Sequence, residues 1–152
     1  MKVWHIENST IVYWNDENSC ICFDPGGRSI VAGNSYGRVE KFDFVLGETT
    51  WRKSFQAEIT TIAMSDDAMF LAVGTPQQIM VWSMADSTTY ARLEGHGGMV
   101  RSVAFYPMSH WIISTGEGAV QSVKSWDIHS EDPELSSLIG HWVSTYFWCV
   151  RC

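Results

Sequence analysis

Three stretches decide the fold: Cys20-Ile21-Cys22-Phe23-Asp24-Pro25, Thr61-Ile62-Ala63-Met64-Ser65-Asp66 and Ser102-Val103-Ala104-Phe105-Tyr106-Pro107. Phe23, Met64 and Phe105 stand 41 and 41 residues apart. Each stretch alternates large apolar with small residues, the period of two that marks a strand, and then meets a turn signal. A second apolar run follows each one: Ser29 to Gly33, Met69 to Gly74 and Trp111 to Gly116, with closing glycines 41 and 42 apart. A third run ends in an aromatic residue, in Val39-Glu40-Lys41-Phe42-Asp43, Ile79-Met80-Val81-Trp82-Ser83 and Val123-Lys124-Ser125-Trp126-Asp127. A weaker fourth run closes each unit, around Thr50 to Phe55, Thr89 to Leu93 and Leu138-Ile139.

Four short strands in about forty residues describe a four-stranded meander, and helical periodicity is nowhere sustained. A lone meander exposes two faces and two edges, so it must stack on neighbours. Radial stacking gives a β-propeller. The expected fold class is therefore all-β, built of antiparallel four-stranded blades. Met1 to Ile6 aligns with a third strand, because Trp4, Phe42, Trp82 and Trp126 are spaced 38, 40 and 44. Ile11 to Trp14 is then that blade's fourth strand. The predicted organisation is the second half of a blade over 1–18, blades over 19–57, 58–97 and 98–139, and the start of a further blade or an aberrant tail over 140–152.

At these residues the chain resembles the WD-repeat β-propellers. Gly95-His96 stands before a first strand, Trp126-Asp127 ends a third strand, Val81-Trp82-Ser83 occupies the matching place one blade earlier, and Gly140-His141 follows. The resemblance spans residues 1 to 141. Propellers of this family most often have seven blades, whereas about three and a half are legible here, an incomplete ring. Two accounts are open: a fragment of a longer protein with no function of its own, or two copies completing one ring as a homodimer. The resemblance also implies a buried network of the Gly-His histidine, a second-strand Ser or Thr, the third-strand Trp and a turn Asp. His96, Ser114 or Thr115, and Trp126 match it. The Asp is absent from Gly116-Glu117-Gly118-Ala119-Val120-Gln121, where Glu117 stands nearest. The other complete blades lack the histidine, with Glu17 and Ala57 near its expected places. His96, Trp126, Asp127, Trp82 and Phe42 are assigned structural roles.

Composition narrows the function. Seventeen acids against ten Lys and Arg give a net charge of −7. The bases are scattered, only Arg52 and Lys53 being adjacent, so no basic stripe neutralises phosphates and direct contact with nucleic acid is not expected. No apolar stretch reaches the roughly 18 residues of a membrane helix, and the first residues lack a signal peptide's apolar run. An intracellular protein, cytoplasmic or nuclear, is expected. No cofactor or metal is implied: Cys20 and Cys22 fall on a strand at positions that want small side chains, and Cys149 and Cys152 read as free thiols. Asp66-Asp67 is a hairpin turn, and His5, His110 and His129 read as solvated. No nucleophile elbow or phosphate cradle occurs. The innermost strands offer Cys, Ile, Thr, Ala, Ser and Val where a channel enzyme would need convergent His, Asp or Glu.

The leading expectation is a protein-interaction scaffold or adaptor that presents loops from a rigid frame, rather than an enzyme. The resemblance places partners on the loops between second and third strands and those leading into first strands. Tyr36, Gln77, Arg101 and Glu117 lie there and are the candidate contacts, Tyr and Arg being favoured interface anchors. The acidic balance points to a protein or peptide partner of some basic character.

Overall fold

A computed structural model describes residues 2–5, 10–14, 18–118 and 122–139, with side chains over 20–118 and 122–135. The tail with Trp142, Trp148, Cys149 and Cys152, the Gly140-His141 pair, and the side chains of Trp4, His5 and Trp14 lie outside the described residues. Fourteen strands are described, and no helix accompanies them among those residues. A two-stranded ribbon of β1 (Lys2–His5) and β2 (Thr10–Trp14) precedes three four-stranded sheets. The first sheet contains β3 (Asn18–Phe23), β4 (Ser29–Asn34), β5 (Arg38–Asp43) and β6 (Glu48–Ser54). The second contains β7 (Thr61–Met64), β8 (Phe70–Gly74), β9 (Gln78–Ser83) and β10 (Thr89–Glu94). The third contains β11 (Val100–Phe105), β12 (Trp111–Gly116), β13 (Ser122–Asp127) and β14 (Glu134–Ile139). Every sheet is an antiparallel meander in sequence order, the arrangement short hairpin turns dictate. The inner strand β7 packs between β3 and β11, so the sheets stack side by side.

Register explains the aromatic repeat. Phe42, Trp82 and Trp126 pair with Ile30, Leu71 and Ile112, the same place in each sheet. Gly33 and Gly74 pair with Cys20 and Thr61. In the third sheet that position, opposite Ser102, is Thr115. Gly116 therefore lies one residue beyond the other two glycines, which corrects the equivalence drawn from spacing.

Among the described residues the two larger cores lie between sheets, and a smaller cluster, Ile30 and Ala32 with Ile21, Phe42 and Phe44, belongs to the first sheet alone. One cluster joins Phe70, Ala72, Ile79, Val81 and Leu93 of the second sheet to Val100, Val103, Ile112 and Trp126 of the third. Another joins Cys22, Val31 and Val39 of the first to Ile62, Leu71, Val73 and Trp82 of the second, with Ile59 from the connection. Alternate residues of β8 thus face different neighbours, and both sets are buried. On β12 only one set is covered: Ile112 is fully buried, while Trp111 and Ile113 on the far face are partly exposed.

Candidate partner-binding face

The β4–β5 and β8–β9 turns and the segments leading into β7 and β11 share one edge of the sheet stack. Asn34 O accepts from Ile59 N at 3.1 Å, Thr75 O accepts from Val100 N at 3.3 Å, and Thr60 Oγ1 donates to Val100 O at 2.6 Å. The β4–β5 turn is built by Asn34, whose Oδ1 accepts from Tyr36 N at 3.1 Å and Arg38 N at 2.9 Å. Gly37 closes it at φ +81° and accepts from Phe55 N at 2.7 Å. This fixed backbone holds Tyr36 out, 80% exposed. Gln77 is exposed on the neighbouring turn, which Thr75 Oγ1 closes by donating to Gln78 O at 2.9 Å. Arg101 Nε donates to Glu117 Oε1 at 2.8 Å, and Nη2 contacts the same oxygen. Arg101 and Glu117 are therefore brought together as an ion pair, whereas Tyr36 and Gln77 stand on separate turns of the same edge.

Behind this edge lies the buried network of the third sheet. Ser114 Oγ accepts from Trp126 Nε1 at 2.8 Å and bonds His96 Nε2 at 2.7 Å. The other ring nitrogen, His96 Nδ1, is 3.2 Å from Ser122 Oγ. Ser122, not Glu117, completes the set, because Glu117 is drawn outward to Arg101. Burial, then the Lys124 ammonium, hold His96 below the ordinary histidine value, against a smaller upward pull from Glu134. A neutral ring suits a site only 8% exposed. Gly116 makes room for it: a β-carbon there would fall 2.5 Å from His96 Nδ1. Lys124 pairs with Glu134 at 2.6 Å beside this ring. Asp127 caps the following turn by accepting from His129 N at 3.0 Å. Asp43 does the same in the first sheet, accepting from Val45 and Leu46 N at 2.8 and 2.9 Å. The Leu46 N–H, ahead of the Val45 N–H and Arg28, holds that carboxyl below its ordinary value.

The family profile described as "WD domain, G-beta repeat" matches residues 87–127, the span that carries His96, Ser114 and Trp126. The chain is a WD-repeat protein. It is 31% identical over 114 residues to "WD repeat-containing protein 90" of Mus musculus, covering 71% of this chain and 6% of that protein. It is 27% identical over 109 residues to "Protein HIR1" of Mycosarcoma maydis, covering 68% of this chain and 10% of that protein. Solved structures titled "Structure of U3-55K" and "Crystal structure of RRP9 WD40 repeats" superpose with TM-scores of 0.75 at 21% identity. Each match covers 86% of this chain, and 42% and 41% of the solved chains. The three sheets are thus blades of a propeller, and those described do not close a ring.

The WD-repeat frame also shows what spacing missed. His96 stands six residues before Ser102, and six before Thr61 stands Phe55. Phe55 packs edge-on to Trp82 at 5.7 Å between ring centroids, as His96 does to Trp126 at 6.0 Å. Phe55, not Ala57, occupies the histidine's place, and counting back from the first strand finds it. Ser114 is replaced in the second blade by Val73, and Trp82 Nε1 is buried without a hydrogen-bond partner. A hydroxyl at Val73 would meet that donor. Val73→Thr is expected to leave the unfolding midpoint unchanged or raise it. The control Val81→Thr, which buries a hydroxyl in a purely apolar cluster, should cost about 1–3 kcal/mol. Equal losses in the two variants, measured by urea unfolding, would refute the equivalence of Val73 and Ser114.

His129 is exposed, in line with the sequence reading, while His110 is half-buried, and both rings are hydrogen-bonded. His110 Nε2 lies 2.7 Å from Asp67 Oδ2, and its Nδ1 lies 2.9 Å from His129 Nε2. Among the described residues, no cluster of three or more His, Cys, Asp or Glu is placed to hold a metal ion. No helix among them is long and apolar enough to cross a membrane.

Proposed function

We propose that this chain is an interaction scaffold that binds a protein or peptide through the edge carrying Tyr36, Gln77, Arg101 and Glu117. One observation carries the reading: a large aromatic side chain stands 80% exposed on a turn whose backbone is tied down on both sides. An ordered aromatic loses little conformational freedom on binding, which makes it an efficient anchor. Arg101 is held by Glu117, so its guanidinium is oriented before a partner arrives. The net charge of −7 favours a partner with basic character. The reading is of an intracellular protein that works without catalysis. The concave wall of the inner strands is lined by residues such as Ile21, Phe23, Ile62, Met64 and Phe105. The two carboxylates beside it are engaged, Asp24 with Ser29 and Lys41 and Asp66 with Met108 N.

The test pairs two exposed side chains on opposite edges. Partners captured by the intact chain would be identified and titrated against Tyr36→Ala and Met108→Ala. Tyr36→Ala should leave the unfolding midpoint unchanged and weaken binding tenfold or more, about 1.4 kcal/mol or above. Met108→Ala, at a residue 95% exposed, should do neither. Binding lost with Met108→Ala and kept with Tyr36→Ala would place the partner on the other edge.

A further inference from the structure

At the edge opposite the partner-binding face, four side chains from two blades make one hydrogen-bonded chain. Asp67, in the β7–β8 turn, and Tyr90, on β10, belong to the second blade. His110, in the β11–β12 turn, and His129, in the β13–β14 turn, belong to the third. Asp67 Oδ2 to His110 Nε2 is 2.7 Å, His110 Nδ1 to His129 Nε2 is 2.9 Å, and His129 Nδ1 to the Tyr90 hydroxyl is 2.7 Å. Phe70 backs the chain edge-on, 4.8 Å from both Tyr90 and His110.

The hydrogens of this chain can be counted. The Ser65 hydroxyl, then the Met69 N–H and His110, hold Asp67 down to about 2, against an opposing push from burial, so it is an acceptor throughout the histidine range. His110 Nε2 therefore carries a hydrogen. With both rings neutral, His129 Nε2–H donates to His110 Nδ1, and the Tyr90 hydroxyl donates to His129 Nδ1. Every donor meets an acceptor. One added proton is also accommodated: His110 Nδ1–H donates to His129 Nε2, and His129 Nδ1–H donates to the Tyr90 oxygen. A second is not, because two N–H groups would then face each other across 2.9 Å. The remaining nearby anions do not relieve that conflict. Asp66 is taken by Met108 N at 2.7 Å, and Asp127 accepts from the His129 backbone.

We propose that His110 and His129 form a proton-operated latch across the junction of the second and third blades, closed with one added proton or none and opened by the second. His129 is exposed, so it can swing into water when the latch opens. Acidification, which supplies both protons, is what operates the device.

The test is an imidazole NMR titration of the full chain, labelled at histidine and kept in EDTA, from about pH 4.5 to about 8.5. His110 and His129 are expected to respond together in two separated steps, as coupled sites do. In His129→Gln, whose carboxamide can still donate to His110 Nδ1, His110 should take up its proton in one step. Tyr90→Phe keeps both rings and should keep both steps. Independent one-proton curves in the wild-type chain, with His110 unchanged by His129→Gln, would overturn the proposal.

Discussion

Trp126→Ala should lower the free energy of unfolding by about 3–5 kcal/mol, the range for deleting a buried large aromatic. The indole is fully buried and packs across the junction onto Phe70, Ile79, Val81 and Leu93 of the preceding blade. Its removal opens a cavity between sheets that hydrogen-bonded strands cannot close by collapsing. It also takes from Ser114 Oγ the N–H it accepts at 2.8 Å, so the loss should fall toward the upper end. Trp111, on the adjacent strand and 47% exposed, supplies the internal comparison. Trp111→Ala should cost under half as much in the same urea titration. Similar losses at the two positions would mean that the junction is not where the stability resides.

Gly37→Ala is the second large effect, and it acts through backbone rather than core. Gly37 adopts φ +81°, where a side chain costs about 1–2 kcal/mol on conformational grounds alone. A β-carbon there would also lie 2.7 Å from Ala57 O and closer still to Phe55 O. Both are backbone atoms of the connection leading into β7, so relief requires moving the segment that holds Phe55 against Trp82. Gly27 separates the two contributions, since it has φ +66° with nothing within 4 Å of its β-carbon position. Gly27→Ala should show only the conformational part, and Gly37→Ala clearly more. Equal shifts of the unfolding midpoint would show that the close approach is relieved without cost. Because Gly37 closes the turn that presents Tyr36, its substitution should impair partner binding as well, unlike Gly27→Ala.

The strands were legible because each satisfies a local rule: alternation, then a turn residue, then alternation again. Phe42, Trp82 and Trp126 align because their pairing partners Ile30, Leu71 and Ile112 repeat with them. What failed to read correctly depends on contacts across the stack. Gly116 resembles Gly33 and Gly74 in sequence, yet it exists to clear the His96 ring, a demand that arises only where that histidine sits. Phe55 was missed because a histidine was sought where any flat ring can pack on the indole. Glu117 was drawn toward the network by proximity in sequence, whereas Arg101 offers it a charge at the surface. The His110–His129 pair has no sequence signature: the two residues lie on the first and third turns of one blade and are oriented by Asp67 and Tyr90 of another. For the proposed partner-binding face, the turns were legible from their residues, while the backbone that holds Tyr36 out is fixed by Asn34 and Gly37.

Strand β8 serves two cores, Leu71 and Val73 toward the first blade and Phe70 and Ala72 toward the third. The second blade therefore keeps no private interior, and its stability is a sum over its two contacts with neighbours. In evolutionary terms, the interchangeable part is the junction, half a blade from each side, and not the forty-residue unit that the sequence spells out. A duplication that copies one whole unit inherits two half-junctions that never met. Compensating changes should therefore gather in pairs such as Phe55 with Trp82 or Gly116 with His96, while the turns at the edges drift freely toward new partners.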